Sequence, residues 1–334
     1  MKHKGTTRNL PSLVIGILAL CCALTTGAPS VEAEQCSTPQ ILWSRTTHYT
    51  NTLSVNDHSG RVAVDRRDDS VVTVCYDHRP NGYWSWIIHK HDSVGNLLWT
   101  RTHTVNNLWG GIPHTVAIDN YGIIVVGGHH CPSPGVTSGH VRKYDPDGGL
   151  LWSVDPKEGG TPAGLEYGWI SAVAFDPSNN VLVSGFNPTS NYVELVQKYD
   201  RAGNFLWESR QPESCTVCID EVFDMVTDAQ GNLVAAGRVW TGTDTDHDWA
   251  IKKFDPSGNA IWIRTYTSPG SNKDMARGVA LDEEGNVFVV GYARIPDLSV
   301  THGRIHKYDS AGNLLWTRTF SASGAETVAD LSLI

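Results

Sequence analysis

The sequence predicts an all-β fold of four-stranded antiparallel blades set around an axis, a β-propeller, and three observations carry that prediction. One phrase, His91-Asp92-Ser93-Val94-Gly95-Asn96-Leu97-Leu98-Trp99, returns as Tyr144 to Trp152, Tyr199 to Trp207, Phe254 to Trp262 and Tyr308 to Trp316. Counting Trp43, the phrase's tryptophans recur at roughly 53 to 56 residues, the period of a propeller blade. Within each period a second phrase, apolar-Asp-x-x-Gly-Asn-apolar, marks another tight turn, clearest at Asp228 to Asn232 and Asp282 to Asn286. No helical pattern lies between them.

An Asp that opens a turn and a Gly three residues on suit a type I turn closed by a left-handed residue, the connection of an antiparallel hairpin. Two hairpins per period give four short strands rich in Val, Ile, Leu, Trp and Thr, bounded by turn residues. In the last copy these are Arg277 to Leu281 (A), Asn286 to Tyr292 (B), Gly303 to Tyr308 (C) and Asn313 to Phe320 (D). Five complete blades are expected at about 59–103, 111–155, 169–210, 221–266 and 274–320. A lone D-type strand at 41–47 and a lone A-type strand at 327–334 are partial strands of a sixth. Strands B and C of that sixth blade are missing, so incomplete closure is expected, as in a truncated chain or a piece of a longer protein.

Residues 1–33 read as an export signal: Lys2, Lys4 and Arg8, an apolar run from Leu13 to Leu24, then the small-residue pattern Val31-Glu32-Ala33. That run is too short to span a bilayer, so no membrane span is expected. Cleavage near Ala33 would leave residues 34–334 as one propeller domain, secreted or held at the cell surface or in the periplasm. Cys21 and Cys22 lack the small preceding residue of a lipid-anchor motif. The chain's net charge of −9 becomes about −11 without the signal, which disfavours nucleic acid as a partner. Outside the signal stand Cys36, Cys75, Cys131, Cys215 and Cys218, and Cys215 with Cys218 suits a loop disulfide in an oxidising compartment.

The phrase from Lys307 to Thr319, with Lys198 to Trp207 and Lys253 to Thr265 close to it, and the phrase from Val279 to Gly291, resemble the bacterial seven-bladed beta-propeller (SBBP) repeat family. The resemblance covers nearly the whole chain after the signal. It implies a propeller fold, export and usually no assigned catalysis; the missing strands and a blade number below seven are the departures. Quinoprotein dehydrogenase blades are also similar, but their adjacent cysteines have a counterpart only in Cys21-Cys22, inside the signal.

Trp43, Trp99, Trp152, Trp207, Trp262 and Trp316 occur once per repeat, as packing between blades requires. Trp84, Trp86, Trp109, Trp169, Trp240 and Trp249 read as out of register and so as recognition candidates. Lys90, Lys143, Lys198, Lys253 and Lys307 each precede an Asp by two residues, and their heads are expected near Asp92, Asp145, Asp200, Asp255 and Asp309. Gly128-His129-His130-Cys131 carries metal-ligand types, but adjacent residues of a strand point apart. Asp244, Asp246 and Asp248 alternate like part of a calcium loop without the Gly and distant Glu of an EF-hand. No metal and no cofactor is therefore assigned, calcium being the one considered.

The tight turns should share one face and the loops 128–139, 155–168, 208–219, 238–248 and 293–303 the other. A protein or glycan partner is expected on that loop face, at Trp109, His129, His130, Tyr167, Trp169, Trp240 and Asp246. The expected function is thus a non-catalytic binding or scaffolding module for a protein, glycan or polymer. The alternative is a propeller enzyme, a quinoprotein-like oxidoreductase or a lyase or hydrolase, with His114, Asp224 and Glu326 near the channel mouth. No Gly-x-Ser-x-Gly, HExxH or phosphate loop supports it.

Overall fold

A computed structural model describes residues 58–78, 84–104, 110–133, 136–157, 160, 168–186, 194–210, 220–241, 247–269, 273–295 and 300–321. The export signal, both partial strands, Trp43, Cys36, Cys215 and Cys218 lie outside them. The described strands fall into five consecutive antiparallel meanders of four. The first is β1 (His58–Asp65), β2 (Ser70–His78), β3 (Trp84–His91) and β4 (Leu97–His103). The second is β5 (Gly111–Ile118), β6 (Ile124–Ser133), β7 (Val136–Tyr144) and β8 (Leu150–Val154). The third is β9 (Trp169–Phe175), β10 (Val181–Phe186), β11 (Glu194–Tyr199) and β12 (Phe205–Arg210). The fourth is β13 (Glu221–Thr227), β14 (Leu233–Trp240), β15 (His247–Phe254) and β16 (Ala260–Tyr266). The fifth is β17 (Lys273–Leu281), β18 (Val287–Ile295), β19 (Val300–Tyr308) and β20 (Leu314–Ser321).

Inner strands are apolar on both faces, and strand alternation sends neighbouring residues into different seams. In β14, Leu233 and Ala235 pack toward the third sheet, while Val234 and Ala236 pack toward the fifth. Similar clusters fill the seam between sheets one and two around Val72, Trp86 and Ile124, and the seam between two and three around Val125, Ile170 and Leu195. Sheets four and five also meet through one parallel pair, His247 with Lys273. Arg61 on β1 donates from Nη2 to the Phe223 carbonyl on β13 (3.4 Å), so the first strand of sheet one reaches that of sheet four.

The turn phrase works within five residues. Asp255 accepts Ser257 N and Asn259 N on Oδ1 and Asn259 Nδ2 on Oδ2, all at 2.9 Å, while Gly258 N donates to its carbonyl. Asp92, Asp200 and Asp309 hold the same bonds, and the Asn side chain with the backbone amides keeps each carboxyl below its ordinary pKa. Gly258 has φ +87°, and a Cβ there would stand 2.8 Å from Trp207 Cε3. Gly258→Ala should therefore cost about 2 kcal/mol, combining left-handed strain with a pushed ring, seen as a lower urea midpoint. An unchanged midpoint would show that the turn can relax.

The repeated tryptophans bond to the next sheet's turn. Trp99 Nε1 donates to Pro146 O (3.0 Å), Trp152 Nε1 to Arg201 O (2.9 Å), Trp207 Nε1 to Pro256 O (3.0 Å) and Trp262 Nε1 to Ser310 O (3.2 Å). These contacts bring successive tight turns to one end of the sheets. Because each sheet is a meander, the second-to-third-strand connections must leave from the opposite end.

Three sequence expectations need correction. The repeated lysines turn not to the Asp two residues on but to the Asp of the first hairpin: Lys90 to Asp65 (3.4 Å), Lys198 to Asp176 (2.8 Å), Lys253 to Asp228 (3.0 Å) and Lys307 to Asp282 (3.1 Å). Lys143 bonds Asn179 O (3.2 Å) and Arg201 O (3.4 Å). The third strand lies beside the second, whose opening turn holds that Asp, and the nearer Asp spends its oxygens on its own turn. Trp86 and Trp249 are in register, each four residues before a repeated Lys, and both are fully buried. Their Nε1 groups donate at 3.0 Å to His129 O and Tyr292 O of the following sheet, which makes them seam residues. Finally, strands occupy much of the expected loops: β6 and β7 cover 128–133 and 136–139, β14 reaches Trp240, and β18 and β19 cover 293–295 and 300–303.

Candidate functional site

At the end of the sheets away from the tight turns, a flat aromatic group is built by three strands. His114 sits at the bulge of β5, where register shifts between Pro113 and Thr115, and His129 lies near the end of β6. Trp169 opens β9. His114 Nε2 is 2.8 Å from His129 Nδ1, and the two rings stack at 5.0 Å and 28°. Trp169 continues the stack, 5.6 Å from His129 at 24° and 5.8 Å from His114 at 32°. Burial pushes the His114 pKa down to about 4, and burial with the neighbouring histidines pushes His129 down to about 3. Both imidazoles are consequently neutral at pH 7. Trp169 itself is 45% exposed.

The other sequence candidates divide. Trp240 is half-buried, with its ring 4.1 Å from His247 edge-on and Arg238 4.8 Å over its face, so it packs on its own hairpin. Trp84 is 38% exposed beside Tyr76. Asp248 accepts a bond from Thr267 Oγ1 at 2.5 Å. Trp109, Tyr167, Asp244, Asp246 and Glu326 lie outside the described residues. Asp224 accepts Val279 N (2.9 Å) and Met225 N (2.9 Å), which ties β13 to β17. That is a structural use of the carboxylate.

His129 and His130 point apart, as neighbours on a strand must. His130 joins His103, the last residue of β4, and His140 of β7, in the seam between sheets one and two. The His140 ring stacks on both, at 4.7 Å from His103 and 4.4 Å from His130. Trp86 closes one side, with its ring edge-on to His103 (5.6 Å) and His140 (5.5 Å). Asp155, just after β8, sets Oδ1 2.5 Å from His140 Nδ1 and 3.4 Å from His130 Nε2. Burial raises the Asp155 pKa, but the two histidines outweigh it and hold the carboxyl well below the usual range. Burial, with His140 and Arg142 nearby, lowers His103 to about 3, and burial lowers His140 despite Asp155. Cys131 stays out of this group, its Sγ 3.9 Å from Thr137 Oγ1 and its pKa raised by burial.

His103, His140 and Asp155 were not singled out from the sequence. A signal existed: nine of the fourteen histidines fall between His58 and His140. The corresponding seam between sheets four and five has Tyr266, Ala293 and Arg304 in place of His103, His130 and His140.

No helix among the described residues is long and apolar enough to cross a membrane. No family model and no curated protein matches the chain. Among solved structures, it is similar to a protein of unknown function from Bacteroides caccae, at 12% identity over 84% of this chain and 86% of that one, with a TM-score of 0.47. It is also similar to the β-propeller domain of the Trilobed protease from Pyrococcus furiosus, at 12% identity over 79% and 71%, TM-score 0.45. A gluconolactonase from Xanthomonas campestris matches at 15% identity over 69% and 82%, TM-score 0.37. Its own sheets therefore define the chain: an all-β protein of four-stranded antiparallel meanders, with propellers among its structural neighbours.

Proposed function

We propose that this chain is an exported, non-catalytic propeller of the SBBP-repeat kind, a binding module that takes a glycan or another polymer with flat apolar faces at the end opposite the tight turns. The observation that carries this reading is the stack of Trp169 on two neutral, buried histidines. A half-exposed indole held from behind offers a rigid π face at little entropic cost, the surface on which the C–H face of a sugar ring or a partner's aromatic side chain packs. The repeat phrases around Lys198, Lys253 and Lys307 support the family reading, and the signal at 1–33 supports export.

The test is a glycan and polymer array probed with the mature chain. Trp169→Ala should weaken binding of the best array ligand about tenfold while the melting temperature stays nearly unchanged, since about 1.4 kcal/mol of stacking is at stake. Undiminished binding by that variant would remove Trp169 from the site. Trp240→Ala, by contrast, should lower stability, because that ring is the more buried of the two and is enclosed between Arg238 on its face and His247 edge-on.

A further inference from the structure

We propose that His103, His130 and His140 form a divalent transition-metal site that fastens the first sheet to the second, with Asp155 orienting His140. The site is separate from the Trp169 platform. One ligand atom from each of the three histidines lies within 4.8 Å of the others, and the rings come from β4, β6 and β7. Nε2 of His103, Nε2 of His140 and Nδ1 of His130 are buried without a hydrogen-bond partner among the described residues, and His130 Nε2 has only the long 3.4 Å approach of Asp155 Oδ1. Leaving that many polar nitrogens unsatisfied in one pocket is costly, and a metal ion would satisfy them together.

The donor set selects the ion. Neutral imidazoles without a cluster of oxygen ligands suit zinc and its late-transition neighbours, not calcium or magnesium. Asp155 Oδ1, 2.5 Å from His140 Nδ1, accepts the proton of that nitrogen and leaves the Nε2 lone pair to the metal. Carboxylates commonly orient metal-bound histidines in this way. Two rearrangements are required. Zinc–nitrogen bonds of about 2.0–2.1 Å set ligand nitrogens about 3.3 Å apart, so the stacked rings must swing out of their near-parallel planes until their in-plane lone pairs converge, and the widest pair of nitrogens, up to 4.8 Å apart, must close by about 1.5 Å. His103 Nδ1 accepts from Arg142 Nη1 (3.0 Å), which puts the imidazole proton on Nε2. Coordination through Nε2 moves that proton to Nδ1 and turns Nη1 away, while Arg142 keeps the Tyr144 hydroxyl that its Nε already reaches at 2.7 Å.

The test titrates zinc into the chelator-treated, untagged mature chain by calorimetry, with cobalt as the optical probe. The expected result is one equivalent bound in the micromolar range or tighter, with a higher melting temperature and the intense visible absorption of tetrahedral cobalt. His103→Gln and His140→Gln should each weaken zinc about 100-fold and Asp155→Asn about tenfold. His306→Gln, which alters a buried histidine in another seam, should leave zinc affinity unchanged. Absence of saturable zinc uptake, or uptake that survives both ligand substitutions, overturns the proposal. If those variants do not fold, the native chain decides: a weakly absorbing, octahedral cobalt spectrum overturns it equally.

Discussion

Lys198→Met should destabilise the chain by about 3 kcal/mol. Lys198 Nζ and Asp176 Oδ2 are 2.8 Å apart, with side chains only 8% and 4% exposed. The methionine keeps the length of the stem and removes the charge, leaving a buried carboxylate without its cation. Losing one partner of a buried pair typically costs about 3–5 kcal/mol. The low end applies here because Asp176 retains Ser178 N, Asn180 N and Asn180 Nδ2 as donors. Lys198 Nζ also donates to Pro256 O, the same carbonyl that Trp207 holds, so the seam between sheets three and four loosens as well. Urea unfolding of Lys198→Met, Asp176→Asn and the double variant measures the coupling, and the double variant should recover part of the loss. A cost of Lys198→Met below 1 kcal/mol would show that the pair is a solvated surface contact.

Acid should unfold the chain well above the range in which its carboxylates titrate. Burial pushes His89, His114 and His306 each down to about 4, from an ordinary value of 6.5. The unfolded chain therefore takes up these protons first as pH falls. Stability is complete above about pH 6.5 and declines from there toward pH 4, where the folded imidazoles finally protonate. At pH 5 each contributes about 2 kcal/mol of loss, roughly 6 kcal/mol together, comparable with the whole stability of an ordinary domain. The lowered carboxyls, such as Asp65 and Asp176, act in a separate window below the ordinary carboxylate value of 3.8. Urea midpoints between pH 7.5 and 4.5 should fall steeply. His306→Phe should flatten that slope by one proton, because the replaced ring packs on Trp249 and Tyr266 without titrating. Midpoints level between pH 7 and 5 would contradict the buried-histidine account.

What could be read from the sequence alone is what acts over a few neighbouring residues. Asp255 to Asn259 make their turn from their own side chains and backbone, and Gly258 supplies the left-handed position. The strand pattern between turns follows from alternation, so the four-strand unit and its repeat are legible, as is the once-per-repeat tryptophan. Tertiary structure decided whatever depends on which strands lie side by side. Lys198 could not be matched to Asp176 rather than Asp200 without knowing that the third strand runs beside the second and that Asp200 is already engaged by Ala202 N, Asn204 N and Asn204 Nδ2. His129 and His130 are neighbours in sequence, yet one joins His114 and Trp169 while the other joins His103 and His140. Side-chain alternation separates adjacent residues by a full strand face, and sheet packing then brings together residues far apart in the chain. The histidine seam and the Trp169 platform arise from that second step, which no local pattern encodes.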